Sequence, residues 1–352
     1  MKKKIILINF IVLILILLII ELIFGSWLKN NNFKYSIREL RNIKIPISVE
    51  YEKIKYDYFF ERNNLGFIGD NINSNDIKII FIGGSTGEEM FVPPKFRIVD
   101  QINYKFNKDN YNVKIVNASK AGKSTRGYVN DFQDWFPKIN NFNPKIVIFY
   151  TGINDANLEL PAHFDDTQKK KLKKKIEDYV KNNSILYYLK KKIEDRYFSK
   201  IRKHYSLVNE NLYKNFNYTN YNQAKLIYKN YSLNEKNNTV INNFSKNLEN
   251  LNKIIKDKKI IPIFITQINF DGLNNFNLYL INESLKDFCI KNNYNIIKLD
   301  EKINFLDEGY FYDEAHTTIK GSLYISNILY SDLKNIILKN IQQINVYKQT
   351  IE

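Results

Sequence analysis

Cysteine is almost absent from this chain of 352 residues, and histidine is scarce. The single cysteine, Cys289, excludes an intrachain disulfide and any zinc site built on cysteine ligands. The three histidines, His163, His204 and His316, include no His-x-x-x-His pair, the spacing that places two metal ligands on one helix face. We therefore expect no metal and no other cofactor.

Acidic residues are also few, with 37 Asp and Glu against 53 Lys and Arg, which gives a formal net charge of +16. Such an excess favours an anionic partner. The lysines are spread along the chain, and no known nucleic-acid-binding module is recognisable, so we expect no nucleic acid as partner. A membrane surface or an anionic glycan fits the charge better.

One long apolar run is present at the amino terminus, from Ile5 to Phe24, interrupted only by Asn9 and Glu21. Its length is what a helix needs to cross the hydrocarbon core of a bilayer. Lys2–Lys4 before it favour a cytoplasmic amino terminus, which puts the rest of the chain outside the cytoplasmic membrane. A cleaved signal peptide is the alternative, although Ile23–Gly25 is a poor cleavage site. Both interpretations predict an exported globular part, periplasmic or extracellular.

Further along, five apolar runs alternate with segments of helical spacing. Continuous runs of β-branched and aromatic residues are typical of buried parallel strands. The alternation predicts an α/β fold, a three-layer α/β/α doubly wound sheet of five parallel strands. Strands are predicted at 78–82, 113–116, 145–150, 260–266 and 295–299. Helices are predicted at 96–106, 132–142 (with a break at Pro137), 240–256, 278–291 and 319–346.

The chain divides by pattern into an anchor at residues 1–26, a stalk and lead-in at 27–75, and a globular domain at 76–346. A helical insertion at about 165–238 interrupts the strand–helix alternation. Its lysine-rich outer faces are either simply solvated or a dedicated membrane or glycan contact. Its two apolar stripes are Leu172, Ile176, Tyr179 and Val180, and then Leu186, Leu189, Ile193 and Tyr197.

Ser85 follows the first predicted strand after two glycines, Gly83 and Gly84. Glycine permits a sharp exit from a strand that a residue with a Cβ would resist. The turn leaves Ser85 at the carboxyl end of a strand, where open α/β sheets hold their ligands. Ser85 is therefore a candidate nucleophile, and an ordinary turn or a phosphate-binding loop is the alternative.

The loops after later strands carry further candidates. Gly122-Lys123-Ser124 is similar to the end of a P-loop, but that motif needs a glycine where this chain has Asn117, so a mononucleotide site is not expected. Asn154 could donate its amide N–H to a developing oxyanion, or could be a turn or capping residue. Asp313 precedes His316 by three residues, a spacing that lets a carboxylate orient an imidazole as a general base.

The five residues Ser85, Gly122, Asn154, Asp313 and His316 follow one another in the chain order of a known family. In this combination the sequence resembles the SGNH hydrolases, also called GDSL esterases and lipases, over roughly residues 76–337. The segments Leu65-Gly66-Phe67 and Gly83–Thr86 resemble the membrane-anchored branch of that family.

The resemblance implies a role for each residue. Ser85 would be the nucleophile, His316 its base and Asp313 the orienter of His316. The N–H groups of Ser85 and Gly122 and the side-chain amide of Asn154 would form the oxyanion hole. The family also implies the sheet order 2-1-3-4-5. The usual aspartate before the serine is Gly84 here, and the leucine after it is Thr86, so the GDSL signature is incomplete.

The expected function is that of an exported, membrane-tethered serine esterase. It would cleave an O-acyl ester, such as an O-acetyl ester of a cell-envelope or surface polysaccharide, through an acyl-serine intermediate. One alternative is an O-acyltransferase that modifies envelope glycans together with a multi-spanning membrane partner. Another is a catalytically inactive glycan-binding module.

Overall fold

The amino-terminal apolar run forms a single helix, α1 (Lys2–Phe24), whose apolar side chains are exposed. The computed structural model describes residues 2–25, 27, 41–156, 176, 179–180, 183–198, 203–206, 217–307 and 309–349. Within these ranges, α1 is the helix that is long and apolar enough to cross a membrane, and a signal sequence would have the same properties.

A small three-stranded sheet follows α1. Strands β1 (Ile43–Tyr51) and β2 (Ile54–Arg62) form an antiparallel hairpin, and β6 (Lys203–Ser206) pairs parallel to β1. The turn residues Glu52 and Lys53 both have positive φ, 49° and 65°, as a two-residue hairpin turn of type I′ requires. The sequence did not predict this sheet, because such turns normally contain glycine or asparagine. The division into anchor, stalk and domain stays a prediction.

The central sheet confirms the predicted fold class. Its five strands are all parallel and lie in the order β4-β3-β5-β7-β8, which is 2-1-3-4-5 along the chain. Because β3 lies between β4 and β5, the loops that leave these three strands are neighbours at one edge of the sheet. The strands are β3 (Ile79–Gly83), β4 (Ile115–Asn117), β5 (Ile146–Tyr150), β7 (Ile261–Ile265) and β8 (Asn295–Ile297).

Helices flank the sheet in two groups. In one, α3 (Ile98–Lys108) packs against α11 (Ile319–Gln349). In the other, α8 (Glu235–Asp257) packs against α4 (Thr125–Asn130) and α9 (Phe276–Asn292). Four predicted helices are thus confirmed with small changes at their ends. The remaining helices are α2 (Ser85–Glu88), α5 (Ile153–Ala156), α6 (Ile185–Phe198), α7 (Tyr221–Tyr228) and α10 (Leu299–Lys302), and short 3₁₀ turns occur at Ser74–Asp76, Pro94–Phe96 and Phe136–Lys138.

The prediction of a helix at 132–142 was wrong in its bounds, although the predicted break at Pro137 is confirmed. The helical segment begins earlier, as α4, and continues as a π-helical turn at Asp131–Trp135 before the 3₁₀ turn that contains Pro137. Proline cannot continue a regular helix, which explains the early end. Trp135 instead turns inward and stacks on Phe67, with their ring centroids 5.1 Å apart.

The predicted helical insertion at 165–238 is partly helical among the residues described there. The second apolar stripe lies on α6, and α7 follows before α8. Strand β6 also falls within this range, which the sequence did not predict. Leu172 of the first stripe lies outside the described residues.

Candidate functional site

Three loops meet at Gly84, the residue before Ser85. Gly84 caps α2, which begins at Ser85 directly after β3. A Cβ placed on Gly84 would lie 2.1 Å from Asn154 Nδ2 and 3.1 Å from the Lys123 carbonyl oxygen. The backbone beside Ser85 therefore contacts the loop after β4 and the loop after β5, and no side chain fits between them.

Asn154 lies on α5, directly after β5, and its amide is held in place. Its Nδ2 donates to the carbonyl oxygen of Lys123 over 2.7 Å. Gly122, one residue earlier, has a φ of +73°, in the left-handed region that favours glycine. The structure thus brings Asn154 and the Gly122–Lys123 turn to the backbone next to Ser85.

A buried ion pair fixes this arrangement from the hairpin side. Arg62, at the end of β2, donates from Nη2 to Glu88 Oε1 (2.5 Å) and to the Ser119 carbonyl (2.6 Å). The other carboxylate oxygen of Glu88 accepts from the Ala121 N–H (2.9 Å). Arg62 is 2% exposed. One guanidinium therefore connects the hairpin, the end of α2 and the loop that contains Gly122.

Lys123 does not act here as the lysine of a P-loop would. Its ammonium is buried, pairs with Asp131 and lies 4.9 Å from the centre of the Trp135 ring. Burial lowers the pKa of Lys123, and the Asp131 carboxylate opposes that shift. Asn117, where a P-loop would have glycine, instead donates from Nδ2 to the Gly87 carbonyl (2.8 Å). Both residues therefore stabilise the loops around Ser85.

The loop after β7 adds a further link. Gln267 Nε2 donates to Thr86 Oγ1 (2.8 Å), and its Oε1 accepts from the Ile153 N–H (2.9 Å). Gln267 is 2% exposed. This side chain ties α2 to α5, so the positions of Ser85 and Asn154 depend on each other. Gln267 was not predicted from the sequence, although it lies shortly after a strand, as Ser85 and Asn154 do.

Asp313 and His316 are in direct contact, as their spacing predicted. The Nδ1 atom of His316 lies 2.9 Å and 2.7 Å from the two carboxylate oxygens of Asp313. Asp313 Oδ1 also accepts from the backbone N–H groups of Ala315 (2.9 Å) and His316 (2.7 Å). The ring of Tyr312 stacks on the imidazole at 5.6 Å between centroids.

This contact sets the protonation of the pair. Burial alone would raise the pKa of Asp313, but the hydrogen bonds and charge of His316 and the two N–H donors outweigh it and lower the pKa. An ionised carboxylate on Nδ1 assigns the imidazole proton to that nitrogen. Nε2 is then left as a proton acceptor, which is the state a general base needs.

A buried carboxyl group, Glu89, connects the two halves of the site. It follows α2 directly, and its Oε1 accepts from Ser322 Oγ (2.5 Å) and Thr317 Oγ1 (3.3 Å). Its Oε2 accepts from the Ile98 N–H (2.6 Å). Thr317 is the residue after His316. The helix that begins at Ser85 is therefore joined to the loop that carries His316.

The structure shows no hydrogen bond between the Ser85 hydroxyl and the imidazole of His316, both of which lie in its described ranges. Such a bond is often long before a substrate binds. The same ranges contain no group of three His, Cys, Asp or Glu side chains that could hold a metal ion. The roles of Ser85, Gly122 and Asn154 in catalysis stay predictions.

Glu89 is expected to make the protein less stable as the pH rises. Burial raises the pKa of Glu89 from 4.5 to about 8, although the nearby Arg97 guanidinium acts in the opposite direction. Between these values the folded state holds a proton that the unfolded state has released, so the free energy of unfolding falls with increasing pH. Glu89→Gln, which imitates the protonated group, should flatten this dependence.

Urea unfolding over a pH series measures this effect. An exposed carboxyl group on α8, Glu249, provides the matched control, since Glu249→Gln should leave the slope unchanged. If the free energy of unfolding depends on pH in the same way in the Glu89→Gln variant and the unaltered protein, Glu89 is ionised in the folded state.

Comparisons with known proteins place the chain among acyl hydrolases. The family model described as GDSL-like lipase/acylhydrolase matches residues 79–329, which include Ser85, Gly122, Asn154, Asp313 and His316. No curated protein matches the chain. Among similar solved structures, TesA is 8% identical with a TM-score of 0.44, and the match covers 73% of this chain and 98% of TesA. The psychrotrophic esterase EstA from Pseudoalteromonas sp. is 10% identical with a TM-score of 0.43, over 74% of this chain and 99% of EstA. The acetyl xylan esterase AlAXEase is 13% identical with a TM-score of 0.41, over 72% of this chain and 98% of AlAXEase.

Proposed function

Since the chain belongs to the GDSL-like lipase/acylhydrolase family, we propose that it is a serine esterase with Ser85 as nucleophile and His316 as base. The observation that carries this proposal is the contact between His316 Nδ1 and both carboxylate oxygens of Asp313. It leaves Nε2 free to accept a proton, in a loop that Glu89 joins to the helix of Ser85.

The proton path follows from this assignment. Ser85 Oγ attacks the ester carbonyl and gives its proton to His316 Nε2. The imidazolium, stabilised by Asp313, then protonates the departing alcohol, and an acyl-serine remains. A water molecule attacks the acyl group while His316 accepts its proton, and the acid is released as Ser85 regains its hydroxyl.

Three donors serve the oxyanion in this proposal. A primary amide has two N–H bonds, and Asn154 uses one of them on the Lys123 carbonyl. That bond orients the group, and the second N–H remains for the developing negative charge. The backbone N–H groups of Ser85 and Gly122 complete the set, in a backbone fixed by Arg62 and Glu88.

The substrate class follows from location and charge. We propose that α1 tethers the enzyme to the cytoplasmic membrane, as in the membrane-anchored branch of the family, with the remaining chain outside the cytoplasm. An O-acyl ester of an envelope polysaccharide, such as an O-acetyl ester, is then within reach, and the net charge of +16 suits an anionic polymer. An O-acyltransferase working with a multi-spanning membrane partner would differ only in using a sugar hydroxyl in place of water.

A fluorophosphonate probe tests the nucleophile directly. The full chain in detergent should be labelled at Ser85, and Ser85→Ala should abolish both labelling and release of acetate from acetylated sugars. Ser74→Ala, at a serine whose hydroxyl donates to the Asn140 carbonyl away from the site, should retain both. A folded Ser85→Ala protein that is still labelled would refute the assignment. Transfer of acetate to a second sugar would identify a transferase.

A further inference from the structure

Glu21 is the one charged residue between Ile5 and Phe24, and the folded chain outside α1 binds its carboxylate. Glu21 Oε1 accepts from Ser184 Oγ (2.5 Å) and from the Leu186 N–H (3.2 Å), and Oε2 accepts from the Ile185 N–H (3.1 Å). The first N–H groups of a helix have no partners within it, and they carry the positive end of its dipole. Glu21 therefore caps the start of α6.

A second contact lies at the same place. Trp27 Nε1 donates to Glu21 Oε2 (2.8 Å), and the Trp27 ring meets the ring of Tyr179 edge-on at 5.9 Å. Tryptophan and tyrosine are enriched where a protein leaves the membrane. We call the group formed by Glu21, Trp27, Tyr179 and Ser184 the anchor joint. Cleavage of the chain after α1 would remove Glu21 and with it the cap of α6.

The anchor joint fixes where α6 lies relative to a bilayer. Glu21 is three residues before the end of α1, so α6 begins where a membrane-spanning α1 would leave the hydrocarbon core. On α6, Leu189 is 45% exposed and Ile193 is 68% exposed, with an exposed lysine, Lys190, between them. Leu189 and Ile193 are four residues apart and so lie on one face of α6. An exposed apolar face bordered by lysine is typical of helices in the lipid interface.

Further exposed apolar side chains precede α6 in the chain. Ile176 and Val180, in the segment before α6, are 56% and 42% exposed. A cavity of about 260 Å³ lies beside the anchor joint, lined by Phe24, Arg41 and Tyr188 among others. Arg41, whose Nε donates to the Asn64 carbonyl, lies on the wall of this cavity together with Phe24, the last residue of α1.

We propose that α1 is retained as an anchor, that the anchor joint fastens it to the folded chain, and that the exposed surface of α6 lies on the anionic lipid headgroups around it. Continuity with the exposed apolar surface of α1 and the positive charge both favour a lipid surface as the occupant. The proposal depends on the anchoring part of the proposed function and not on ester hydrolysis.

An environment-sensitive fluorophore on α6 tests the lipid contact. In the full chain, Cys289→Ala removes the buried thiol, and Ile193→Cys provides a single site for labelling with nitrobenzoxadiazole. The labelled protein is placed in vesicles of phosphatidylcholine and phosphatidylglycerol. We expect blue-shifted emission that doxyl-labelled lipids quench several-fold. The same label at Ile290→Cys, a position on α9 that is 71% exposed, should emit as in water.

The anchor joint is tested separately with Glu21→Leu, which keeps α1 apolar but removes the cap. Emission from position 193 should shift to the red, while the protein stays in the vesicles. An unchanged spectrum in the Glu21→Leu variant would overturn the role of Glu21. A water-like spectrum in the vesicle-bound protein that keeps Glu21 would overturn the lipid contact of α6. If alkaline carbonate extracts the protein from the vesicles, or if the mature chain lacks residues 1–24, α1 is not a retained anchor.

Discussion

Asp313→Asn is expected to lower kcat for ester hydrolysis about 10⁴-fold without unfolding the protein. The oxygen of the new amide is needed at the Oδ1 position, because two backbone N–H groups, those of Ala315 and His316, donate to it. The amide nitrogen then takes the Oδ2 position, 2.7 Å from His316 Nδ1 in the present structure. A donor there moves the imidazole proton to Nε2, which can no longer accept the proton of Ser85.

Steady-state kinetics with an acetylated sugar measures this loss, and circular dichroism checks the fold. Glu314→Gln is the matched control, since it neutralises an exposed carboxylate one residue away and leaves the imidazole contact in place. A decrease of only a few-fold in the Asp313→Asn variant would mean that the Asp313–His316 pair does not serve catalysis.

Gly84→Ala is expected to reduce kcat about 100- to 1,000-fold, the usual cost of losing one oxyanion donor. The φ of Gly84 is −82°, which any residue can adopt, so the change brings no backbone strain. The added methyl group would instead overlap Asn154 Nδ2, at a distance of 2.1 Å. The amide must leave its position between Gly84 and the Lys123 carbonyl.

A double-mutant cycle identifies this cause. Asn154→Ala alone should cost a similar factor, and adding Gly84→Ala to it should cost little more, because the space is then empty. The measurement is kcat for the two single variants and the double variant. If the fold-decreases in kcat of the two single variants multiply in the double variant, Gly84→Ala acts through another contact, for example that with the Lys123 carbonyl.

The central sheet was predictable because its strands are buried on both faces. Such strands are continuous apolar runs, and β3, β5 and β7 end within about one residue of their predicted limits. The sheet order came from the family resemblance and not from the apolar pattern. The Asp313–His316 contact was predictable because the two residues are only three positions apart, so local geometry brings them together.

The buried polar links were not predictable from the sequence. Arg62 and Glu88 are 26 residues apart, and Glu89 and Ser322 are 233 apart, so no local spacing reveals them. A charged residue in a sequence is normally a surface residue. Only the folded chain shows that these ionisable side chains lie inside and hold the loops of the site.

The β1–β2 hairpin was not predicted from the sequence for a related reason. Its strands contain Pro46, Lys44 and several acidic residues, which lower the apolar content expected of a strand. Ile47 and Val49 are nevertheless buried, together with Ser48 between them. Packing of the small sheet against Phe91 and Tyr312 supplies a tertiary context that the linear pattern does not contain.

Arg62 limits how this protein can be cut into smaller recombinant pieces. A fragment that begins at Ile79, where the family match begins, would keep the Glu88 carboxylate in the interior but lose its guanidinium partner. Removing one partner of a buried ion pair costs about 3–5 kcal/mol, a large part of the stability of a typical domain. The smallest piece that folds by itself should therefore start ahead of β1, well before the first residue that the family model matches.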